Sequence, residues 1–164
     1  MSVVEIPSDA FRLLQYAEFA YICTASENGQ PHITPVFFLF IEQQRAIYFT
    51  TAQNSVKVRN ILRNPRVALT MDVRDPVNPF NNRGLLVEGR ARVVTSDYLL
   101  DKTSTTMRMQ LEKKYPILKE ATHDRQESSR AHLLGQFSEV LVEVRISKIV
   151  YWGGGPRFTT VKLT

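Results

Sequence analysis

The dipeptide Asn28-Gly29 lies between two runs that both read as β-strands, Phe19–Ser26 and Pro31–Ile41. Asn-Gly is the preferred pair where both central residues of a type I′ turn need positive φ, so the spacing predicts an antiparallel hairpin. More strands follow. Ala46–Thr51 is rich in β-branched and aromatic residues, and Arg66–Val73 comes after the helix stop Asn64-Pro65. In Gly84–Thr95, the residues Leu85, Val87, Ala91 and Val93 alternate with Leu86, Glu88, Arg90 and Arg92. Gly89 inside that run predicts a bend or bulge. Ser138–Val150 and Phe158–Leu163 are the last strand patterns. Helical patterns cover Ser8–Phe19, with Ser8 as N-cap and Phe11, Leu13 and Leu14 on one face. They also cover Leu99–Tyr115 and roughly Arg125–Leu134, separated by Pro116. Many short antiparallel strands with few helices predict a mainly β protein, a closed or partly open barrel. No alternating βαβ pattern supports a doubly wound sheet. No repeat or linker divides the chain, so residues 1–164 are expected to form one domain.

Other features narrow the function classes. The N-terminus has neither a basic region nor an apolar stretch of signal-peptide length. The longest apolar run, Pro35–Ile41, is too short to span a bilayer and reads as a buried strand. A soluble, cytoplasmic protein with no membrane partner is the expectation. Cys23 is the only cysteine, so an intrachain disulfide is impossible, and the residue reads as a small buried hydrophobe. His32, His123 and His132 are scattered, without carboxylates at ligand spacing, and no metal site is expected. The net charge of +5 points to an anionic partner without choosing among phosphate-bearing cofactor, nucleic acid and membrane surface. Its distribution says more. Residues 1–54 carry two basic and five acidic side chains, whereas Ser55–Arg66 holds Lys57, Arg59, Arg63 and Arg66 with no acid.

That basic onset coincides with a strand–turn–helix pattern. A strand ends at Thr51, a polar turn follows, and a helix is predicted from Val56 to about Arg63 with Ser55 as N-cap. Val58, Ile61 and Leu62 share its apolar face, and Lys57 and Asn60 share another side. Free N–H groups and the positive dipole end make a helix N-terminus attractive to phosphate. A lysine in the first turn is repelled by that dipole unless an anion is bound. Hydroxyls of Thr50, Thr51 and Ser55 can complete such a shell. A capped, solvated basic helix and a phosphate clamp fit this pattern equally well.

Three blocks in order resemble the flavin-binding split β-barrel proteins related to pyridoxamine 5′-phosphate oxidase. The first is Cys23–Val36; the second joins Ile47–Thr51, Ser55–Ile61 and Asn64–Leu69; the third is Leu86–Ala91. The resemblance implies an FMN-binding split barrel that forms a homodimer with cofactor at the interface. Ile33, Thr34, Pro35 and Val36 would lie along the cofactor ring. Thr50, Thr51, Ser55 and Lys57 would hold its phosphate, with Phe49, Val56 and Asn60 in the same segment. A C-terminal aromatic can reach the partner's cofactor in this family, which adds Trp152, with Arg157 beside it. The chain departs from the vitamin B6 oxidases at several places. Val56 stands where they have an arginine beside the phosphate lysine. Thr34 and Leu39 replace an Arg and a Lys on the ring-side strand, and Gly84 after Arg83 replaces a glutamine. His123-Asp124-Arg125 has the letters but not the context of their C-terminal pattern. These departures argue against a vitamin B6 phosphate as substrate. The Ser-x-Lys-x-x-Asn pattern also resembles the branch that uses the deazaflavin F420.

The resemblance therefore implies an FMN-dependent oxidoreductase passing hydride from a nicotinamide to a small organic acceptor. The alternatives are an F420-dependent reductase and a non-catalytic flavin-binding or sensing protein. Nucleic-acid binding ranks last, because Phe37, Phe38 and Phe40 cluster in an apolar run instead of alternating with basic residues.

Overall fold

The computed structural model describes residues 6–94, 102–118, 139–153 and 158–163, without the side chains of 102–104 and 108. Eight strands form one antiparallel sheet: β1 (Ala20–Ala25), β2 (Pro31–Val36), β3 (Leu39–Ile41), β4 (Ala46–Ala52), β5 (Arg66–Val73), β6 (Arg83–Val94), β7 (Glu139–Gly153) and β8 (Phe158–Lys162). Among the described residues three α-helices accompany them: α1 (Ser8–Tyr16), α2 (Val56–Arg63) and α3 (Lys102–Lys114). The strand order is β2-β1-β5-β6-β7-β4-β3, with β8 added to β7. The two ends of that path, β2 and β3, are consecutive in sequence and joined only by Phe37 and Phe38. Three peptide steps reach at most about 11 Å, so the sheet must curl until its ends lie side by side. The result is a split β-barrel, a mainly β protein as the strand patterns predict.

The expected strand Pro31–Ile41 is thus two strands at opposite ends of the path. A continuous apolar run carries no mark of where the chain turns a corner. Phe38 enters the barrel core with no exposed surface, while Phe37 packs its ring at a tilt against both Phe19 and Tyr115. The hairpin between β1 and β2 forms as expected, with Ala25 opposite Pro31. Its turn is not type I′. Gly29 has φ 81° and Asn28 is not among the positive-φ residues. The Gly29 amide donates to the Ser26 carbonyl, which makes a three-residue loop ending in a left-handed glycine.

Other boundaries shift modestly. α1 ends at Tyr16, with Pro7 as its cap residue, so Ser8 begins the helix instead of capping it. Leu13 and Leu14 are buried as expected, and Phe11 meets Phe40 edge to face at 6.0 Å. α2 and β5 fall on the expected residues. Leu62 does not share the apolar face of α2; it is exposed while Val58 and Ile61 are buried. Cys23 is half-buried, on the outer face of β1 opposite Ile33 and Ala68, instead of in the core. The helix expected near 125–134 and the residues His123-Asp124-Arg125, His132 and Arg157 lie outside the described residues.

β7 is the spine of the barrel. β6 pairs along its whole length, from Arg83↔Gly153 to Val94↔Leu141. On the other edge, β4 takes Glu139–Arg145 and β8 takes Lys148–Trp152. The register slips between Glu88 and Gly89, leaving Ser147 as the extra residue of a bulge. A Cβ on Gly89 would sit 2.3 Å from the Arg145 carbonyl oxygen, so the bulge requires glycine there. The barrel interior is one core that includes Ile22, Phe38, Phe49, Leu69, Val87 and Ile149. A second cluster lies outside the barrel, where α3 packs Met107, Leu111 and Tyr115 over Ala46, Tyr48 and Leu141. No helix among the described residues is long and apolar enough to cross a membrane.

Candidate functional site

The turn from β4 into α2 puts the basic onset of the sequence at one end of the barrel. Val58 and Ile61 anchor the helix, and the Ser55 amide donates to the Ala52 carbonyl at 3.0 Å to close the turn. Ser55 has the extended backbone of a cap residue (φ −68°, ψ 155°), yet its hydroxyl caps nothing. Its Oγ is buried with no hydrogen-bond partner. A capping serine would spend that oxygen on the N–H groups of the first turn. Here both the hydroxyl and the N–H end of the helix dipole are left for another group.

Lys57 points back to the strand end, where Nζ donates to Thr51 Oγ1 at 2.9 Å. Among the described residues no carboxylate pairs with it, and burial lowers its pKa from the ordinary lysine value. A half-buried cation with only a neutral hydroxyl for partner carries an unpaid desolvation cost. Thr50 and Thr51 are half-buried at the end of β4. Val56, beside Lys57, is partly exposed.

Asn60 is buried on the other side of the helix, and its Nδ2 donates to Thr24 Oγ1 at 3.0 Å. Thr24 in turn donates toward the His32 carbonyl at 3.5 Å. This chain ties α2 through β1 to β2, the expected ring-side strand, so Asn60 sets the position of the helix against that strand. Sequence spacing alone could not reveal the Asn60–Thr24 pair, because its members lie 36 residues apart.

On β2, Ile33 and Pro35 are exposed on the outer face, while Thr34 and Val36 turn inward. Thr34 Oγ1 is a second buried hydroxyl with no partner. Both orphaned hydroxyls therefore fall within the segments that the resemblance assigns to a cofactor. Phe49 is different. Its side chain has no exposed surface and belongs to the barrel core, so it supports the strand end from within.

Trp152 lies toward the other end of β7 from the strand end at Thr51. It covers Gly84, where a Cβ would meet the indole at 2.3 Å, and it faces Phe158 at 6.2 Å. Thr51 pairs with Val140 at the opposite end of β7. The twelve residue steps from Val140 to Trp152 correspond to roughly 40 Å along β7. Among the described residues, no group of His, Cys, Asp and Glu could hold a metal ion.

An antiparallel split barrel carrying this helix-terminal site defines a class of protein, and comparison with known proteins fixes the family. The family model described as pyridoxamine 5′-phosphate oxidase matches residues 7–152, and the chain belongs to that family. A curated relative, the pyridoxamine 5′-phosphate oxidase YLR456W homolog of Saccharomyces cerevisiae, is 28% identical over 80 residues. That match spans 40% of this chain and 39% of the relative's own length. Solved structures share the fold. An F420 reductase aligns with TM-score 0.58 and 21% identity, covering 88% of this chain and 98% of its own. A FAD-binding protein from Mesorhizobium loti gives TM-score 0.60 at 17% identity, covering 88% and 92%. The heme storage protein HutZ of Vibrio cholerae gives 0.62 at 13%, covering 96% and 95%. At these identities the likeness shows the fold alone.

Proposed function

We propose that this chain binds FMN through its phosphate at the N-terminal end of α2 and serves as an oxidoreductase for a small organic substrate. The observation that carries the reading is the unspent polar chemistry of that turn. Ser55 Oγ has no partner, and Lys57 has no anion. A phosphate would satisfy both, together with the free N–H groups of the helix. Ile33 and Pro35 offer an exposed apolar edge for a flat ring, and Thr34 Oγ1 is free for a polar atom. A bound flavin supplies hydride transfer between a reduced nicotinamide and an organic acceptor. The chain supplies charge neutralisation at Lys57, a donor or acceptor at Ser55, and orientation of helix against strand through Asn60 and Thr24.

The working unit in this reading is a homodimer. In such a dimer a second copy would bring its own Trp152 to the ring, as the family resemblance implies for a C-terminal aromatic. One observation favours F420 as an alternative: Val56, an apolar side chain, occupies the position beside Lys57 and leaves a single cation for the phosphate.

Absorbance spectroscopy tests the proposal. Titration with FMN is expected to saturate at one flavin per chain, with bleaching by NADPH and recolouring by an electron acceptor. Saturation by F420 and not FMN would transfer the site to the deazaflavin. Binding without turnover would make the protein a flavin carrier or sensor. Failure of both cofactors to bind would refute the reading.

A further inference from the structure

The strongest unassigned feature is a row of arginines across the outer face of the sheet. β5, β6 and β7 place Arg66, Arg90 and Arg145 at one register level, with Arg66 opposite Arg90 and Arg90 opposite Arg145. All three are exposed, while their strand neighbours Val67, Ala91 and Val144 are buried, so the three side chains leave the same face. Directly opposed side chains on neighbouring strands have Cβ atoms about 4.5–5.5 Å apart, and like charges so placed oppose folding. A fold that keeps such a row needs an anion to answer it.

The neighbouring carboxylates are committed elsewhere. Glu143 accepts from Arg145 at 2.8 Å and from Arg92 at 2.7 Å. Glu88 is held by Lys148 at 2.6 Å, and Glu27 pairs with Arg63 at 3.7 Å. Among the described residues, the Arg66 guanidinium reaches only the neutral amide oxygen of Asn64, at 3.5 Å, and Arg90 has no hydrogen-bond or ion-pair partner. These two unanswered arginines line one depression of about 430 Å³. That volume is enough for a small molecule. Cys23, Ala25 and Ala68 also line it, and their small side chains leave the space open.

We propose that this depression binds a phosphate monoester, its dianion held between Arg66 and Arg90 and its organic part lying over Cys23 and Ala68. Two planar guanidinium forks match the oxygens of a phosphate, and their two charges match its charge. The small apolar floor suits a compact organic body better than a long polyanion. The proposal does not rest on the cofactor reading, because Thr51, Ser55 and Lys57 are not among the walls.

Calorimetric titration of the full chain with phenyl phosphate at low ionic strength tests the assignment. Lys57→Met serves as the parent, so that the turn before α2 offers no cation to the probe. Saturable binding is expected in this parent, weakened at least about tenfold by Arg66→Met or by Arg90→Glu. Benzoate, a monoanion on the same ring, should bind at least about tenfold more weakly than phenyl phosphate. Arg90→Glu has a second readout. A glutamate there would face Arg66 and Arg145 across the strands, so its Tm should match or exceed that of the parent while binding is lost. That combination separates a ligand site from a structural role. Absence of saturable phenyl phosphate binding would overturn the proposal, as would equal affinity in Arg66→Met or equal affinity for benzoate. A lower Tm in Arg90→Glu would also overturn it, since Arg90 would then already have its partner within the fold.

Discussion

Replacing Lys57 with methionine should move cofactor affinity and apo-protein stability by very different amounts. In the protein without cofactor, Lys57 makes one hydrogen bond, 2.9 Å to the neutral hydroxyl of Thr51. Such a bond contributes about 0.5–1.5 kcal/mol. Its loss is offset by relief of the desolvation that lowers the lysine pKa, and methionine keeps most of the packing of the stem. The net change in apo stability should stay within about 1 kcal/mol of zero. For a chain of 164 residues that is a shift in Tm of no more than about 3 °C. With FMN present the balance changes, because the lysine then meets a phosphate. Loss of that charge-assisted bond should weaken binding by about 1–3 kcal/mol, or about 5- to 150-fold. Melting curves with and without FMN, together with a fluorescence titration, measure both quantities. The expected pattern is an apo Tm close to wild type and a much smaller rise on adding FMN. Lys57→Arg should restore only part of the affinity, since guanidinium presents its donors in a different geometry. A large fall in apo Tm with FMN affinity unchanged would refute the reasoning and make Lys57 a structural strut.

The remaining expectations concern the frame around the site. Ser55→Ala should cost less than about 0.5 kcal/mol of apo stability, below the usual ~1 kcal/mol for an N-cap, because its hydroxyl makes no cap bond; denaturant melts measure this, and a loss of 1 kcal/mol or more would contradict the geometry. Glu143 is buried between Tyr48, Arg92 and Arg145, and it also receives bonds from both guanidiniums at 2.7 and 2.8 Å. Burial alone would raise its pKa, but these partners hold it down to about 2 from 4.5. A carboxyl depressed in the folded state stabilises the fold fully above its unfolded pKa of 4.5, and that contribution disappears as pH falls toward 2. Because both arginines are largely exposed and screened, we expect about 1–3 kcal/mol, and Glu143→Gln should flatten the acid limb of a Tm-against-pH curve. Gly89→Ala places a methyl against the Arg145 carbonyl and should cost about 1–3 kcal/mol by urea unfolding, more if the bulge cannot shift.

Much of this architecture is legible in the residues, wherever the signal is local. α2 is bounded by a serine before it and Asn64-Pro65 after it, and β5 begins directly after that proline, so both fall where expected. The alternation in β6 and the bend at Gly89 are local for the same reason, since side-chain direction and backbone approach depend on near neighbours. The break at Phe37-Phe38 is not local. Both residues are apolar because one enters the barrel and the other faces α3, and only the tertiary structure distinguishes the two environments. Leu62 fits the helical period of α2 but overhangs solvent, which a period cannot report. At the site, Ser55 and Lys57 stand out by charge and position alone. The bond that aligns their helix, from Asn60 to Thr24, depends on a long-range contact that no spacing encodes.

The position of β7 as the spine has a consequence for how the chain reaches its native state. Ala46 of β4 waits for Arg145, about a hundred residues later, and β6 also pairs with β7 along its length. Such non-local pairings place the chain among slow-folding topologies, since loop closure must be paid before the contacts return anything. Until Glu139–Gly153 is in place, β4, with Ile47, Tyr48 and Phe49, and β6, with its leucines and valines, both present an unpaired apolar edge. Exposed edges of that composition recruit other strands. A truncation just before Glu139 should therefore produce aggregates instead of a smaller soluble barrel. During synthesis, the nascent protein depends on arrival of this late segment to bury the edges made first.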